Sequence, residues 1–539
     1  MKQSRLFRET VLALGLVSAV LNSTAWADRN QDIENFLKRF DQNSKQTMDE
    51  APAMVGSKRE KPFQSLPNKK WKKEELLKWE KLIDQRDKIR QKMCKEVNGA
   101  LVCLDSILPG RASPGSNDLA ENLVDLPKEK LVRNLTLMDK SLKEASLDDK
   151  SAPWSDDYWP IYRGILGARY ATPEFETRFL DWTVYQTAIE KNPMDSILKN
   201  GNVSEIDLLS PSEKYDLLTG SDGALTQAMW AQTEEAASQG ERNPETGKGK
   251  VETWMGICHG WSPASYMFPR PTGIVKVKAA DGKTNLIFYP ADIKALASLL
   301  WAQTRTPTKF IGGRCNEKDT EIKKDANGRV LSANCFDTNP MTWHLSIVNQ
   351  IGLAKRSFVM DATYDYEVWN QPVYGYSYTY FNPQTGKETN NLKTATVAWK
   401  SFTKDKFRKY RKNPSIATIV GVAMDVTYVV EMQPTHDKTN NPADDGHKTV
   451  RYLYDLELDA KGTIVGGEWY GNMHPDFLWT PEPGKNAQSV VDMSLSGTWN
   501  GTGGIPANWS DTIKSAAENG GQPVYKIVRP LVDQSRSSR

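Results

Sequence analysis

Three side chains in this sequence of 539 residues are of types that cooperate in thiol catalysis: Cys258, His344 and Asp361. A cysteine becomes a strong nucleophile when a helix N-terminus and a nearby imidazole lower the pKa of its thiol. The imidazole then serves as the base, and a carboxylate holds the ring in its working orientation. Cys258 follows Gly256 at the start of a predicted helix, so we expect its sulfur to lie at the positive helix end.

Five histidines are available as the base: His259, His344, His436, His447 and His474. His259 is adjacent to Cys258, and neighbours on a helix diverge by about 100°, so its ring should point away from the thiol. Two others lie in the turn-rich segment 433–448, where we expect them to be solvated. His474 is a weaker candidate. We predict His344 as the base, buried in an apolar strand, and the alternative is a histidine that only fills the core.

The carboxylate that orients His344 is expected on the following strand. Asp361 lies in the apolar run 358–363, where an ionised side chain is costly unless it is paired. Seventeen positions separate the two residues, enough for two adjacent antiparallel strands. Asp365, on the same strand face, is the alternative. A cysteine on a helix with a histidine and an aspartate on two strands is typical of papain-like thiol chemistry.

The cysteine count singles out Cys258. Cys94 and Cys103 are nine positions apart across a turn, and Cys315 and Cys335 are twenty apart around a polar segment. Both spacings suit disulfides that close surface loops. The fifth cysteine of an exported protein pairs with another molecule or is a reactive thiol, and the alternative is an inert buried residue.

The N-terminus predicts export. A basic start precedes an apolar run at 11–21, and residues 25–27 have the small-x-small pattern of a cleavage site. We expect a signal peptide cleaved after Ala27 and a secreted protein, extracellular or periplasmic. The run is shorter than the roughly 20 residues that a membrane span needs.

Charge excludes several classes of partner. The formal charge is +3, and removal of three basic residues and one acidic residue with the signal peptide leaves +1. This is too small to indicate nucleic acid or an anionic membrane as a partner.

Periodicity and turn residues predict five segments and an α+β fold. The segments are a signal peptide (1–27), a polar linker or possible pro-segment (28–70), a mainly helical region (71–247), a catalytic α+β core (248–485) and a C-terminal extension (486–539). In the core we predict helices near Cys258 and Asp292. The predicted strands are 273–278, 285–289, 342–350, 356–363, 416–432 and 449–458. The nucleophile helix should pack on an antiparallel sheet, as in a papain-like core; a resemblance described next implies the papain/transglutaminase-like form of this core.

Several blocks of the sequence resemble the elicitor-type transglutaminases of oomycetes and their bacterial relatives. One block surrounds Cys258, a second contains His344, and residues 368–373 resemble the core of the peptide elicitor within the oomycete enzymes. The similar blocks together cover about residues 210–480.

The resemblance implies a protein-glutamine γ-glutamyltransferase. Cys258 would form a thioester with a glutamine side chain, and a lysine amine or a small amine would take the acyl group. His344 would transfer the protons, and Asp361 would hold its tautomer. The Cys258 N–H is the first expected oxyanion donor, with Trp254 and Trp230 as candidates for the second. A papain-like cysteine peptidase or a glutamine deamidase is the alternative, followed by a binding module with an inert thiol.

No cofactor is required by the sequence, but the resemblance implies that calcium is a possible one. The acidic residues Asp437, Asp444 and Asp445 could supply oxygen ligands, although they lack the spacing of an EF-hand. A solvated hairpin loop is the alternative interpretation of this segment.

Overall fold

The computed structural model describes residues 32–58, 118–172, 182–240, 251–315, 322–331, 338–363 and 367–537, single positions Phe175 and Cys335, and the backbone of 94–97 and 100–103. The predicted signal peptide and Asp365 lie outside the described residues. So do the side chains of Cys94 and Cys103, whose backbones are directly opposite each other in a two-stranded hairpin.

The described strands are numbered in chain order. They are β1 Ala53–Lys58, β2 Cys94–Val97, β3 Ala100–Cys103, β4 Glu144–Ser146, β5 Val275–Lys278, β6 Asn285–Phe288, β7 Thr308–Gly312, β8 Val359–Asp361, β9 Asn370–Phe381, β10 Glu388–Thr389, β11 Val397–Ala398, β12 Thr418–Val430, β13 Gly446–Leu458, β14 Ile464–Trp469 and β15 Phe477–Pro481.

The α-helices are numbered in the same way. They are α1 at 32–47, α2 Leu135–Ser141, α3 Trp182–Lys191, α4 Met194–Asn200, α5 Val203–Asp207, α6 Pro211–Thr219, α7 Ala224–Gln239, α8 Cys258–Met267, α9 Pro290–Gln303, α10 Pro340–Gly352, α11 Leu392–Ala395, α12 Val490–Ser494, α13 Ser510–Gly520 and α14 Tyr525–Ser537.

One antiparallel sheet organises the molecule. Its strand order is β1-β13-β12-β9-β8-β15-β7, and four short strands pair at its sides. Successive residues of a strand point to opposite faces, and paired residues share a face. Asp361 is opposite Asn370, which places both side chains on what we call the first face. The pairing of β9 with β12 shifts register between Thr427 and Tyr428, so the alternation of faces along β9 reverses at this bulge. Tyr378, opposite Met424, therefore lies on the second face.

Helix α8 packs on the first face and helix α10 on the second. The hydroxyl of Ser262 in α8 donates to the carbonyl of Asn370 in β9, at 2.9 Å. Residues of α10, including Trp343 and Leu345, share a buried cluster with Tyr378 of the second face. The predicted α+β fold, with the helix that begins at Cys258 on an antiparallel sheet, is confirmed.

The predicted strand at 342–350 is wrong, because these residues belong to α10. Asn339 caps the helix by accepting a hydrogen bond from the Thr342 N–H, and Pro340 occupies its first turn. Every residue from Thr342 to Gly352 is buried. A short apolar segment of a helix that is buried on all sides cannot be told from a buried strand by its periodicity, so the run around 343–348 resembles a strand.

The N-terminal and C-terminal parts of the described chain both pack against the sheet or the cluster around Cys258. Ile33, Leu37 and Phe40 of α1 pack against the sheet in one cluster, and β1 pairs with β13. Helices α13 and α14 contribute Ile513 and Leu531 to the cluster that contains Cys258. Residues 32–58 of the predicted linker and most of the predicted C-terminal extension are therefore packed structure.

One predicted disulfide is confirmed, and the fifth cysteine is free. Cys315 and Cys335 are bonded, while Cys258 is a buried free thiol. Within the described residues, no helix is long and apolar enough to cross a membrane.

The close approach of α8 to α9 yields a prediction at Gly260. An added Cβ there would lie 2.2 Å from the carbonyl oxygen of Ser298, which belongs to a rigid helix. We expect Gly260→Ala to lower the free energy of unfolding by about 1–3 kcal/mol, because the two helices must separate. Chemical denaturation measures this. Gly504→Ala is the matched control, since nothing lies within 4 Å of its added Cβ; equal stability of both variants would contradict the prediction.

Candidate active site

Cys258 is the first residue of α8, and the chain before it is pressed against Tyr158. The Ile257 N–H donates to the Tyr158 carbonyl at 2.7 Å. An added Cβ on Gly256 would lie 2.5 Å from the same carbonyl oxygen, so only glycine fits there. Cys258 is 5% exposed, and its position places the sulfur near the positive end of the helix dipole.

The first residue of β9 supplies hydrogen bonds to the sulfur. Asn370 Nδ2 lies 3.6 Å from Sγ, and the Asn370 backbone N–H also donates to it. The thiol itself donates to the carbonyl of Val368 at 3.7 Å. The indole of Trp479 donates to Asn370 Oδ1 at 2.8 Å, which fixes the amide with its NH₂ group toward the sulfur.

The thiol is protonated at neutral pH in this environment. Burial raises the pKa of Cys258 to about 11, although hydrogen bonds from Asn370 oppose the shift. The expectation of a lowered thiol pKa is therefore not met, because desolvation disfavours the thiolate more than its donors stabilise it. A base must take the proton as the sulfur reacts.

Two buried carboxyl groups lie close enough to act on the thiol electrostatically. The negative charges of Glu431 and Asp361 both raise the pKa of Cys258. Burial raises the pKa of Asp361 to about 7 and that of Glu431 to about 7. A carboxyl group with a pKa raised in this way is suited to taking up and releasing a proton near neutral pH.

Asp361 is held with one oxygen unused. Its Oδ1 accepts hydrogen bonds from the Trp369 N–H at 3.0 Å and from the Thr363 hydroxyl at 2.9 Å. Its Oδ2 is buried and has no hydrogen-bond partner among the described residues. Glu431, just after β12, accepts from Gln371 Nε2 at 2.6 Å.

His344 lies on the second face of the sheet. Its Nδ1 is 2.8 Å from the hydroxyl of Tyr454, and its ring packs edge-on against Tyr378. Burial lowers the pKa of His344 to about 3. The sheet separates His344 from Cys258, which lies on the first face with Asp361. We therefore correct the prediction that His344 is the base of Cys258.

The other four histidines also have partners away from the thiol. His259 bonds to the backbone of Ala302 in α9, pointing away from the thiol as expected. His474 stacks on Trp469 with ring centroids 4.6 Å apart, in the second-face region. His436 stacks on Tyr289 and His447 contacts Tyr374, so these two are partly buried by ring contacts and not fully solvated.

The indoles of the two tryptophans suggested as second oxyanion donors have other surroundings than the sulfur. The indole of Trp254 donates to Glu252. Trp230 packs against Gly164 and Gly167 in a different cluster from Cys258. Asn370 is the side-chain amide that the structure places at the sulfur.

Sequence reasoning missed Asn370, Glu431 and Trp479 as site residues. A signal for the first was present, because Asn370 belongs to the block 368–373 that resembles the elicitor core. Val368 and Asn370 contact the sulfur, and Gln371 binds Glu431. This block therefore forms a wall of the thiol site.

Two of the three acidic residues suggested for calcium have partners within the chain. Asp445 pairs with Arg270 and accepts the Ser155 N–H, while Asp444 accepts the Asn441 N–H. A cation would have to compete with these partners for the carboxylate oxygens. Across the described parts of the chain, no group of three or more His, Cys, Asp or Glu residues is arranged to hold a metal ion.

These features define an α+β protein with a buried free thiol at a helix N-terminus. The sequence profile of the transglutaminase elicitor family matches residues 128–498. This is more than half of the chain, so the chain belongs to the transglutaminase elicitor family, as the resemblance indicated. The structure is similar to the GP42 transglutaminase from Phytophthora sojae, with 21% identity, a TM-score of 0.44, and coverage of 72% of this chain and 94% of that one. Comparison with curated proteins gave no match.

The role of Asn370 can be tested through the thiol pKa. We expect Asn370→Ala to raise the pKa of Cys258 further, since the variant lacks a donor to the thiolate. Trp479→Phe should raise it in the same direction, because the amide loses the partner that orients it. The pH dependence of iodoacetamide labelling, followed by mass spectrometry of the Cys258 peptide, measures both. Asn508→Ala, at a surface amide, is the control; an unchanged labelling profile in Asn370→Ala would refute the role.

Proposed function

We propose that this protein is a secreted protein-glutamine γ-glutamyltransferase that works through Cys258. The observation that carries the proposal is the buried free thiol at the start of α8, bonded by Asn370 and flanked by carboxyl groups whose pKa is near neutral. Membership of the transglutaminase elicitor family supports the same chemistry.

The first half-reaction forms the thioester. Asp361 Oδ2 takes the thiol proton as the sulfur attacks the carboxamide carbon of a substrate glutamine. The Cys258 N–H and Asn370 Nδ2 donate to the oxyanion of the tetrahedral intermediate. The intermediate collapses with loss of the C–N bond, and the proton held by Asp361 leaves with ammonia.

The second half-reaction transfers the acyl group to an amine. A neutral lysine ε-amine attacks the thioester carbon, and Asp361 accepts the proton that the amine loses. The C–S bond then breaks, the sulfur regains a proton, and an isopeptide bond remains. Glu431 is the second carboxyl group available for these transfers. It follows β12, whereas Asp361 belongs to β8, and these two strands flank β9 in the sheet.

Export, substrates and calcium complete the proposal. The bond between Cys315 and Cys335 supports an oxidising location, where disulfides persist. The substrates are proteins with accessible glutamine and lysine side chains, or small amines. Cleavage after Ala27 and a dependence on calcium stay predictions.

The activity is tested with a labelled primary amine and a glutamine-rich acceptor protein. We expect wild-type protein to incorporate the label with release of ammonia, and Cys258→Ala to incorporate none, because no thioester can form. Ser265→Ala, on the same helix, is the control that should retain incorporation. Cleavage of the acceptor chain would identify a peptidase instead. Ammonia release without incorporation would identify a deamidase.

The identity of the base is tested by the pH profile. Since the pKa of Asp361 is raised to about 7, the carboxyl group is protonated below that pH, and incorporation should rise as pH increases through 7. Asp361→Asn should lower the rate by about 10²- to 10⁴-fold and abolish this rise. The rate of Glu431→Gln shows how much of the incorporation depends on the second carboxyl group. His344→Gln should keep the rise; if it abolishes the rise instead, the base is His344.

A further inference from the structure

Two tryptophan–glutamate pairs lie on chain segments that lead to the thiol. In the first, the Trp369 indole donates to Glu367 Oε2 at 3.0 Å. Val368 lies between these two residues, and its carbonyl accepts from the sulfur of Cys258. This pair is therefore on the chain segment that contacts the nucleophile.

The second pair precedes the nucleophile helix. The Trp254 indole donates to Glu252, four and six residues before Cys258. The intervening Thr253 carbonyl accepts the Tyr158 hydroxyl at 2.6 Å. The Tyr158 ring in turn packs against Trp369, with centroids 5.4 Å apart. The buried Tyr158 ring thus connects the two pairs, whose exposed parts we call the entrance surface.

The entrance surface is partly exposed to solvent, and the thiol behind it is buried. Glu252, Trp254, Glu367 and Trp369 are all half-exposed, whereas Cys258, Asn370 and Asp361 behind them are buried. A substrate that reaches the sulfur from solvent on this side must pass the two indoles and their carboxylates.

Acidic side chains outnumber basic ones around the two pairs. Asp361, Glu431 and Asp157 lie behind them, and the cations that act on Asp361 and Glu431 include Arg314 and Lys448. Two buried oxygen acceptors have no hydrogen-bond donor in the described part of the chain. They are Asp361 Oδ2 and Gln371 Oε1. A ligand that donates hydrogen bonds and carries positive charge complements this environment.

From these observations we propose that the two pairs form the acyl-acceptor subsite, which selects cationic primary amines such as the lysine side chain. The carboxylates attract the ammonium group, and the indole faces bind the ammonium and its methylene stem. The amine then loses a proton to a buried carboxylate before it attacks the thioester. The assignment rests on the proposed function, since it names the second substrate of that reaction.

The first test compares a cationic acceptor with a neutral one. N-acetyl-lysine amide carries a positive charge at neutral pH, whereas hydroxylamine is uncharged. Glu367→Gln and Glu252→Gln each keep an acceptor for the indole but lose the charge. We expect each to lower kcat/KM for the lysine amide by about five- to tenfold relative to hydroxylamine, and the double variant by more.

The exposed residue Glu129 provides the matched control. Glu129→Gln removes the same charge outside the site and should leave the ratio of the two acceptors unchanged. Equal losses for lysine amide and hydroxylamine in the double variant, or no loss for either, would overturn the subsite.

The second test does not require transglutaminase activity. Cys258 is alkylated with cationic 2-bromoethylamine and with neutral iodoacetamide, and the ratio of the two rates is taken. We expect this ratio to fall at least fivefold in the double variant, and the wild-type ratio to fall with added salt, as screening predicts. An unchanged ratio would refute the subsite even in an active transglutaminase. A fallen ratio without amine incorporation would refute the proposed function and leave a cation-selective entrance.

Discussion

The contact between the start of α8 and the start of β9 holds the site together. Asn370 donates to the sulfur of Cys258 through its backbone and its side chain, and its carbonyl accepts from Ser262 one helical turn later. A thiol buried this deeply needs such donors, because the interior offers no water to stabilise the thiolate. The helix and the strand therefore have to meet in one register for the chemistry to be available.

The surrounding structure maintains that register. Gly256 and Gly260 let the chain approach Tyr158 and α9 more closely than any side chain would allow. The C-terminal helices cover the same cluster from behind. Burial that follows from this packing raises the pKa of both the thiol and the carboxyl groups. In the mechanism we propose, proton transfer to a carboxylate as the sulfur attacks therefore replaces a preformed thiolate.

Much of the fold was readable from local patterns. The helix at Cys258, the disulfide between Cys315 and Cys335, and five of the six predicted strands correspond to described structure. The failure at 342–350 has a physical cause, because a helix buried on every side needs no exposed polar face, and its short apolar run then looks like a buried strand. Because of that one error, His344 was expected on a strand beside Asp361, whereas it lies in a helix on the other face of the sheet.

The sequence by itself determined the nucleophile candidate and one carboxylate. Cys258 was identified because the other four cysteines had plausible partners. Asp361 was identified because an ionised side chain in an apolar run is costly unless it is paired. Only the tertiary structure decided which groups meet the sulfur. Side chains alternate between the faces of a sheet, so the pairing of β8 with β9 placed Asp361 and Asn370 together on one face. The docking of α10 placed His344 on the other, and no spacing along the chain encodes that choice.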